Sequence, residues 1–135
     1  RVVLDTNILI SSLLSAEGPP AIIYQAWSEN RFSLLTCERQ MDELRRTLRK
    51  PAIAARVRPH HAGRLINRLF SRAVDVGRLP EVLRSNDPDD NFILAIAEAG
   101  SADYLVSGDH DGLLVLRRHR RTRILSPRAF VSLLA

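Results

Sequence analysis

Four acidic residues stand where a folded core gives little reason for a charge. Asp5 follows the apolar run Val2-Val3-Leu4 and precedes Ile8-Leu9-Ile10. Asp109 follows Tyr104-Leu105-Val106 after only Ser107-Gly108, and Asp90 heads the apolar stretch Phe92 to Ala97. Glu43 neighbours Leu44 in a segment where Met41, Leu44 and Leu48 share one helical face, so it borders the buried side. Four carboxylates brought into one cleft repel each other, and the cluster is costly without a cation. Donors that are all oxygen favour a hard cation, Mg²⁺ or Mn²⁺, and no paired His or Cys argues for zinc. Such a site suits phosphodiester hydrolysis. One metal activates water, and a second, where present about 4 Å away, stabilises the leaving oxygen.

The other acids have readier structural explanations. Asp87 before Pro88 reads as a helix N-cap, and Asp89 complements the dipole of that helix. Glu38 and Asp42 read as solvated, and Asp103 as a turn acid ahead of a strand. Asp111 is open between metal ligand and turn former with Gly112. Asp5 and Asn7 could each cap the helix that follows them. Thr6, Asn7 and Ser107 have the groups to orient carboxylates or hold a metal-bound water. His60, His61, His110 and His119 are scattered, and none is assigned as a general base.

The elements that must position these acids follow from periodicity. Short runs at 1–4, 32–36, 104–106 and 123–125 read as strands, and the lack of alternation in the first fits a strand buried on both faces. Helices are predicted over 8–14, 21–29, 38–49, 59–76 and 87–99, with Leu65, Leu69, Ala73 and Val76 inward in the fourth. Pro51 ends the third, Gly77 stops the fourth, and Ser126-Pro127 caps a C-terminal helix. Strands alternating with helices imply a three-layer α/β/α sandwich around a central parallel sheet. Sites in such sheets lie beyond the carboxyl ends of the strands, which places Asp5 and Asp109 together. Residues 1–135 read as one domain.

Charge is segregated along the chain. The net charge is +5, yet no Lys or Arg occurs from Ser85 to Leu116, where seven acids fall. Five arginines then crowd into residues 117–123, and twelve basic residues face four acids between Arg39 and Arg84. An acidic pocket in a basic surround suits an anionic polymer held by its backbone over a metal centre. Arg117, Arg118, Arg120 and Arg121 are therefore candidates for RNA binding, against the plainer reading of a solvated loop. The lone cysteine, Cys37, excludes a disulfide framework and fits a reduced, cytoplasmic setting. No apolar run approaches the roughly 18 residues of a membrane span, and no leader is recognised ahead of the first strand. Because the chain starts at Arg1 rather than Met, a few preceding residues are expected to be missing.

Taken together, the residues resemble the PIN-domain ribonucleases, and within them the VapC-like toxins of bacterial toxin–antitoxin pairs. The resemblance is carried by Val2-Val3-Leu4-Asp5-Thr6-Asn7-Ile8-Leu9-Ile10-Ser11, by Glu43-Leu44, and by Asp87-Pro88-Asp89-Asp90-Asn91 with Leu94-Ala95-Ile96-Ala97. It continues in Ala102 to Asp111 and in the closing Ile124 to Phe130. It implies an acidic site at Asp5, Glu43, Asp90 and Asp109, with Asp111 a further candidate. It also implies Mg²⁺ or Mn²⁺, cleavage of single-stranded RNA, a homodimer and a bound antitoxin. Two positions depart from the family pattern. Ser107 replaces the usual Thr and keeps the hydroxyl. Gly112 reads as an insertion after Asp111 and sets that residue apart.

Other classes fit less well. A haloacid-dehalogenase phosphatase needs a second Asp two residues after the first, where this chain has Asn7. A receiver domain needs a lysine beside its acids, and Lys50, the only lysine, lies at a helix end. A DNA-directed nuclease would use the same metals, and a catalytically silent module would bind nucleic acid without cutting it.

Overall fold

The computed structural model describes residues 1–135. Six strands form one sheet in the order β3-β2-β1-β4-β6-β5. These are β1 (Val2–Leu4), β2 (Leu34–Thr36), β3 (Val74–Asp75), β4 (Tyr104–Val106), β5 (Arg118–His119) and β6 (Thr122–Leu125). The helices are α1 (Thr6–Leu14), α2 (Pro19–Ser28), α3 (Glu38–Arg49), α4 (Pro51–Ala54), α5 (Pro59–Arg72), α6 (Pro88–Ala99), α7 (Leu113–Leu116) and α8 (Pro127–Leu134). All strand pairs are parallel except β5 with β6.

The unbroken apolar strands are explained by the two cores. Successive side chains of a strand point to opposite faces. Val2 and Leu4 accordingly join one cluster with residues of α1, α2, α3, α5 and α8, while Val3 joins another with α6. Leu34 and Leu35 divide the same way, as do Val106 and Leu105. The sheet is thus the middle of three layers, as the sequence pattern implies. In α6 every residue from Phe92 to Ala97 is buried, so the helix lies in the core rather than on it. Pro88 occupies its first turn, and the Asp87 carboxylate accepts from the Asp89 amide at 2.9 Å, the predicted cap.

Four local expectations are corrected. The helix predicted to reach Val76 ends at Arg72, and Val74–Asp75 instead adds a parallel edge strand to β2. Apolar spacing carried the helical pattern too far, since β-branched Val74 and Val76 also suit a strand. Gly77 does not cap that helix. It lies in the turn after β3, with φ +74° and its amide donating to Asp75 Oδ1. Pro51 closes α3 but also opens α4, because proline suits a first helical turn. The arginine run is no loop: Arg118–His119 folds back on Thr122–Arg123 as a hairpin, with Arg120 at its turn in a left-handed conformation.

The order β2-β1-β4 makes β1 the point from which connections leave in both directions. In open α/β sheets the crevice outside the carboxyl ends of such strands is the usual ligand site.

Candidate active site

Asp5 directly follows β1 and opens α1, yet its side chain makes no capping hydrogen bond. Its amide donates to the Val106 carbonyl at 2.9 Å, fixing it beside the end of β4. Its carboxylate accepts from the Ser107 hydroxyl at 2.9 Å. The Ser107 oxygen in turn accepts from the Asp109 amide at 3.0 Å. Ser107 is completely buried and so links the acid of β1 to the acid beyond β4. Asp90, in the first turn of α6, is also buried and accepts from Ser85 Oγ at 3.2 Å. Glu43 projects from α3, half-buried, into the same space.

These four line one pocket of about 750 Å³, together with Asp87 and Asp89. Six carboxylates thus face one volume, opposed by two cations, Arg46 and Lys50. The electrostatic cost is visible in the acids themselves. Burial pushes the Asp5 carboxyl above its ordinary value; the Ser107 hydroxyl opposes the rise, while the charges of Glu43 and Asp90 add to it. Burial raises Asp90 as well, reinforced by the charges of Asp109 and Asp87.

A glycine makes the Asp90–Asp109 approach possible. A Cβ on Gly112 would stand 2.1 Å from Asp109 Oδ2 and 2.8 Å from Asp90 Oδ2. The Gly112 amide also donates to Asp109 Oδ1 at 3.0 Å. The backbone therefore passes against the acid pair at a distance only glycine permits.

The remaining sequence candidates divide. Asn7 lines the pocket. Thr6 is buried and turned toward Gln40, whose amide lies 3.5 Å from its hydroxyl. Asp111 is exposed and does not line the pocket. Nor do Arg117, Arg118, Arg120 and Arg121. β6 runs parallel to β4, so the turn preceding it lies at the sheet edge opposite Asp5 and Asp109. There Arg120 pairs with Glu98 at 2.8 Å and Arg121 with Asp103 at 2.6 Å. His119 fastens the hairpin from inside, accepting from Arg84 at 3.1 Å and reaching Glu98 at 3.0 Å. The structure thus sets Arg120 and Arg121 at the edge remote from the acids.

Other residues of the site escaped the sequence reading. Buried Gln40 donates to the Leu4 carbonyl at 2.8 Å and accepts from Thr36 Oγ1 at 2.7 Å, tying α3 to the ends of β1 and β2. No spacing rule flags a core glutamine. Ser11, Arg46, Thr47 and Lys50 line the pocket. The last three follow Glu43 by three, four and seven residues, a helical stripe that was available as a signal.

A family model described as PIN domain matches residues 1–111. The chain belongs to the PIN domain family. The match takes in Asp5, Glu43, Asp90 and Asp109 and ends one residue before Gly112. No curated protein and no solved structure gives a significant match. PIN domains are in general metal-dependent nucleases, so this one has a nuclease-type fold directed at nucleic acid. No helix is long and apolar enough to cross a membrane.

The acidic pocket of this PIN domain fits a divalent cation of the hard class. The donors are all oxygens, and two of them, Asp90 and Asp109, approach one another closely. No three ligating side chains stand close enough to enclose an ion alone. Mg²⁺ is usually held by one or two carboxylates, with water and phosphate oxygens completing the shell. A cation here would offset the like-charge repulsion that adds to burial in raising Asp90.

Proposed function

We propose that this PIN domain is an endoribonuclease that cleaves single-stranded RNA with Mg²⁺ or Mn²⁺. The observation that carries the reading is the convergence of six carboxylates at the β1/β4 switch point, in a chain with net charge +5. In this reading Asp5, Asp90 and Asp109 would share the cation, directly or through bound water, since no three of them stand close enough to enclose it alone. When bound, it supplies positive charge to the developing phosphorane and acidifies water at neutral pH. Glu43, across the pocket, orients the attacking water by accepting a hydrogen bond from it. Ser107 holds Asp5 and Asp109 in register, and Asn7 offers a neutral amide to the substrate side. Thr6 acts from behind, through Gln40.

The VapC-like toxin role, with a homodimeric state, a cytoplasmic setting and a cognate antitoxin, rests on the motif resemblance running from Val2 to Phe130, as does the reading of 1–135 as one domain. The deciding experiment is cleavage of a labelled single-stranded RNA with Mn²⁺ or Mg²⁺, alongside EDTA and Asp5→Asn controls. Cuts that require the metal and vanish in both controls are expected. Cutting by Asp5→Asn would refute the site, and preference for DNA would refute the substrate.

A further inference from the structure

The two cations in the pocket occupy one wall of it. Arg46 and Lys50 lie on the stripe of α3 that also carries Glu43 and Thr47. Opposite them, Asn7 and Ser11 of α1 stand one turn apart, and α1 packs against α3. The pocket is therefore a short groove. The acid cluster lines it beside β1 and β4, and Lys50, seven residues beyond Glu43, lines it at the C-terminal end of α3. Both cations are exposed, and neither is among the side chains that form ion pairs in this chain. Arg45, beside them, is already paired with Asp42 at 3.2 Å. Arg46 in the last turn of α3 and Lys50 at its C-cap also complement the helix dipole, and both line the volume that the carboxylates face.

We infer that Arg46 and Lys50 form a phosphate rail, so that the nucleic-acid strand leaves the acid cluster along the α1/α3 groove. The inference rests on the ribonuclease reading above and deepens it. Four residues of helix separate the two cations by about 6 Å along the axis, comparable with the step between successive phosphates of an extended strand. Arginine offers a forked donor to a phosphate and lysine a point charge. Thr47, Asn7 and Ser11 are uncharged groups able to donate to phosphate and sugar oxygens without adding repulsion. A backbone-gripping wall carries no base readout, so it supplies affinity and direction rather than sequence choice. The arginine hairpin, by contrast, spends Arg120 and Arg121 on Glu98 and Asp103 at the far edge of the sheet.

The test measures binding rather than cutting. In the Asp5→Asn background, affinity for a labelled single-stranded RNA is followed by fluorescence anisotropy over a series of salt concentrations with Mg²⁺ held fixed. Each phosphate contact contributes about 0.7 to the slope of log affinity against log salt for single strands. Arg46→Gln with Lys50→Gln is expected to flatten that slope by roughly 1.4 and weaken binding. Arg120→Gln with Arg121→Gln is expected to leave the slope unchanged. Both α3 side chains are exposed, and an unchanged thermal midpoint checks that the double variant folds. If the α3 variant keeps the parent slope, the rail is refuted and its charges are left for an acidic protein partner. If the hairpin variant flattens equally, the path is refuted. Cleavage by the unsubstituted protein with no change in slope would overturn the rail alone. Failure of that protein to bind or cut RNA would overturn the ribonuclease reading and the rail with it.

Discussion

Gly112→Ala separates the geometry of the site from the stability of the fold. The added methyl carbon falls 2.1 Å from Asp109 Oδ2 and 2.8 Å from Asp90 Oδ2, where ordinary contact begins at 3.4 Å. What yields is the free end of the Asp109 carboxylate, because that is the nearer atom and turns on its own side chain. Relieving the overlap takes it back by about 1 Å, and misplacement of that size costs on the order of 10²-fold in rate. A hundredfold loss corresponds to about 2.7 kcal/mol of transition-state stabilisation. The fold loses little, since no core residue is touched and the Gly112 amide is still present to donate. The assay is metal-dependent RNA cleavage by Gly112→Ala under single-turnover conditions, paired with thermal unfolding. The expected result is a rate down roughly a hundredfold with a midpoint close to the parent's. A variant that cuts at the parent rate would refute the claim that this glycine sets the acid pair. A variant that unfolds would show that the loop, and not the carboxylate, gives way.

Two further outcomes follow from the same acids. Mn²⁺ or Mg²⁺ should stabilise the folded chain, by about 2.7 kcal/mol at a hundred times its dissociation constant, and Asp109→Asn should abolish the upward shift in thermal midpoint; a shift retained in that variant would place the ion elsewhere. The second concerns pH without metal. Asp5 is raised in the folded chain above its ordinary 3.8, so its ionised form destabilises the fold. That penalty is absent below the ordinary value, grows as pH rises through the raised one, and is complete above it. Asp5→Asn removes it, so the variant should gain on the parent as pH rises through this window, measured by urea unfolding at a series of pH values. A difference that does not change with pH would contradict burial as the cause of the Asp5 shift.

Much of this arrangement was legible in the sequence because it rests on short-range signals. The strands β1 and β4 are short apolar runs and β2 is led by Leu34-Leu35, and the Asp87-Pro88 cap marks the start of α6 to the residue. With the parallel order inferred, Asp5 and Asp109 had to share an edge. The misread parts depend on distant partners. Val74–Asp75 becomes a strand only because β2 offers a free edge. Arg118–His119 becomes one only because β6 lies beside it. Arg120 and Arg121 look available in sequence, and only the fold reveals Glu98 and Asp103 against them. Gly112 reads as a mere insertion until the carboxylates beside it are seen.

The charges of the chain then make sense by position rather than by sum. A surplus of five positive charges would favour RNA anywhere on the surface, which gives no cleavage site. The fold pairs Arg120 and Arg121 with acids at the edge remote from Asp5, while Arg46 and Lys50 line the acid pocket unpaired. A strand drawn to those two cations brings its own phosphates against Asp5, Asp90 and Asp109, where repulsion would expel it. Binding therefore couples to whatever positive charge the carboxylates hold. By linkage, the factor by which a divalent ion tightens RNA binding equals the factor by which RNA tightens the ion. Under the proposed reading, neither ligand is held as well alone as with the other. Ser107 and Gly112 matter because they set the acids at the spacing on which that mutual dependence rests.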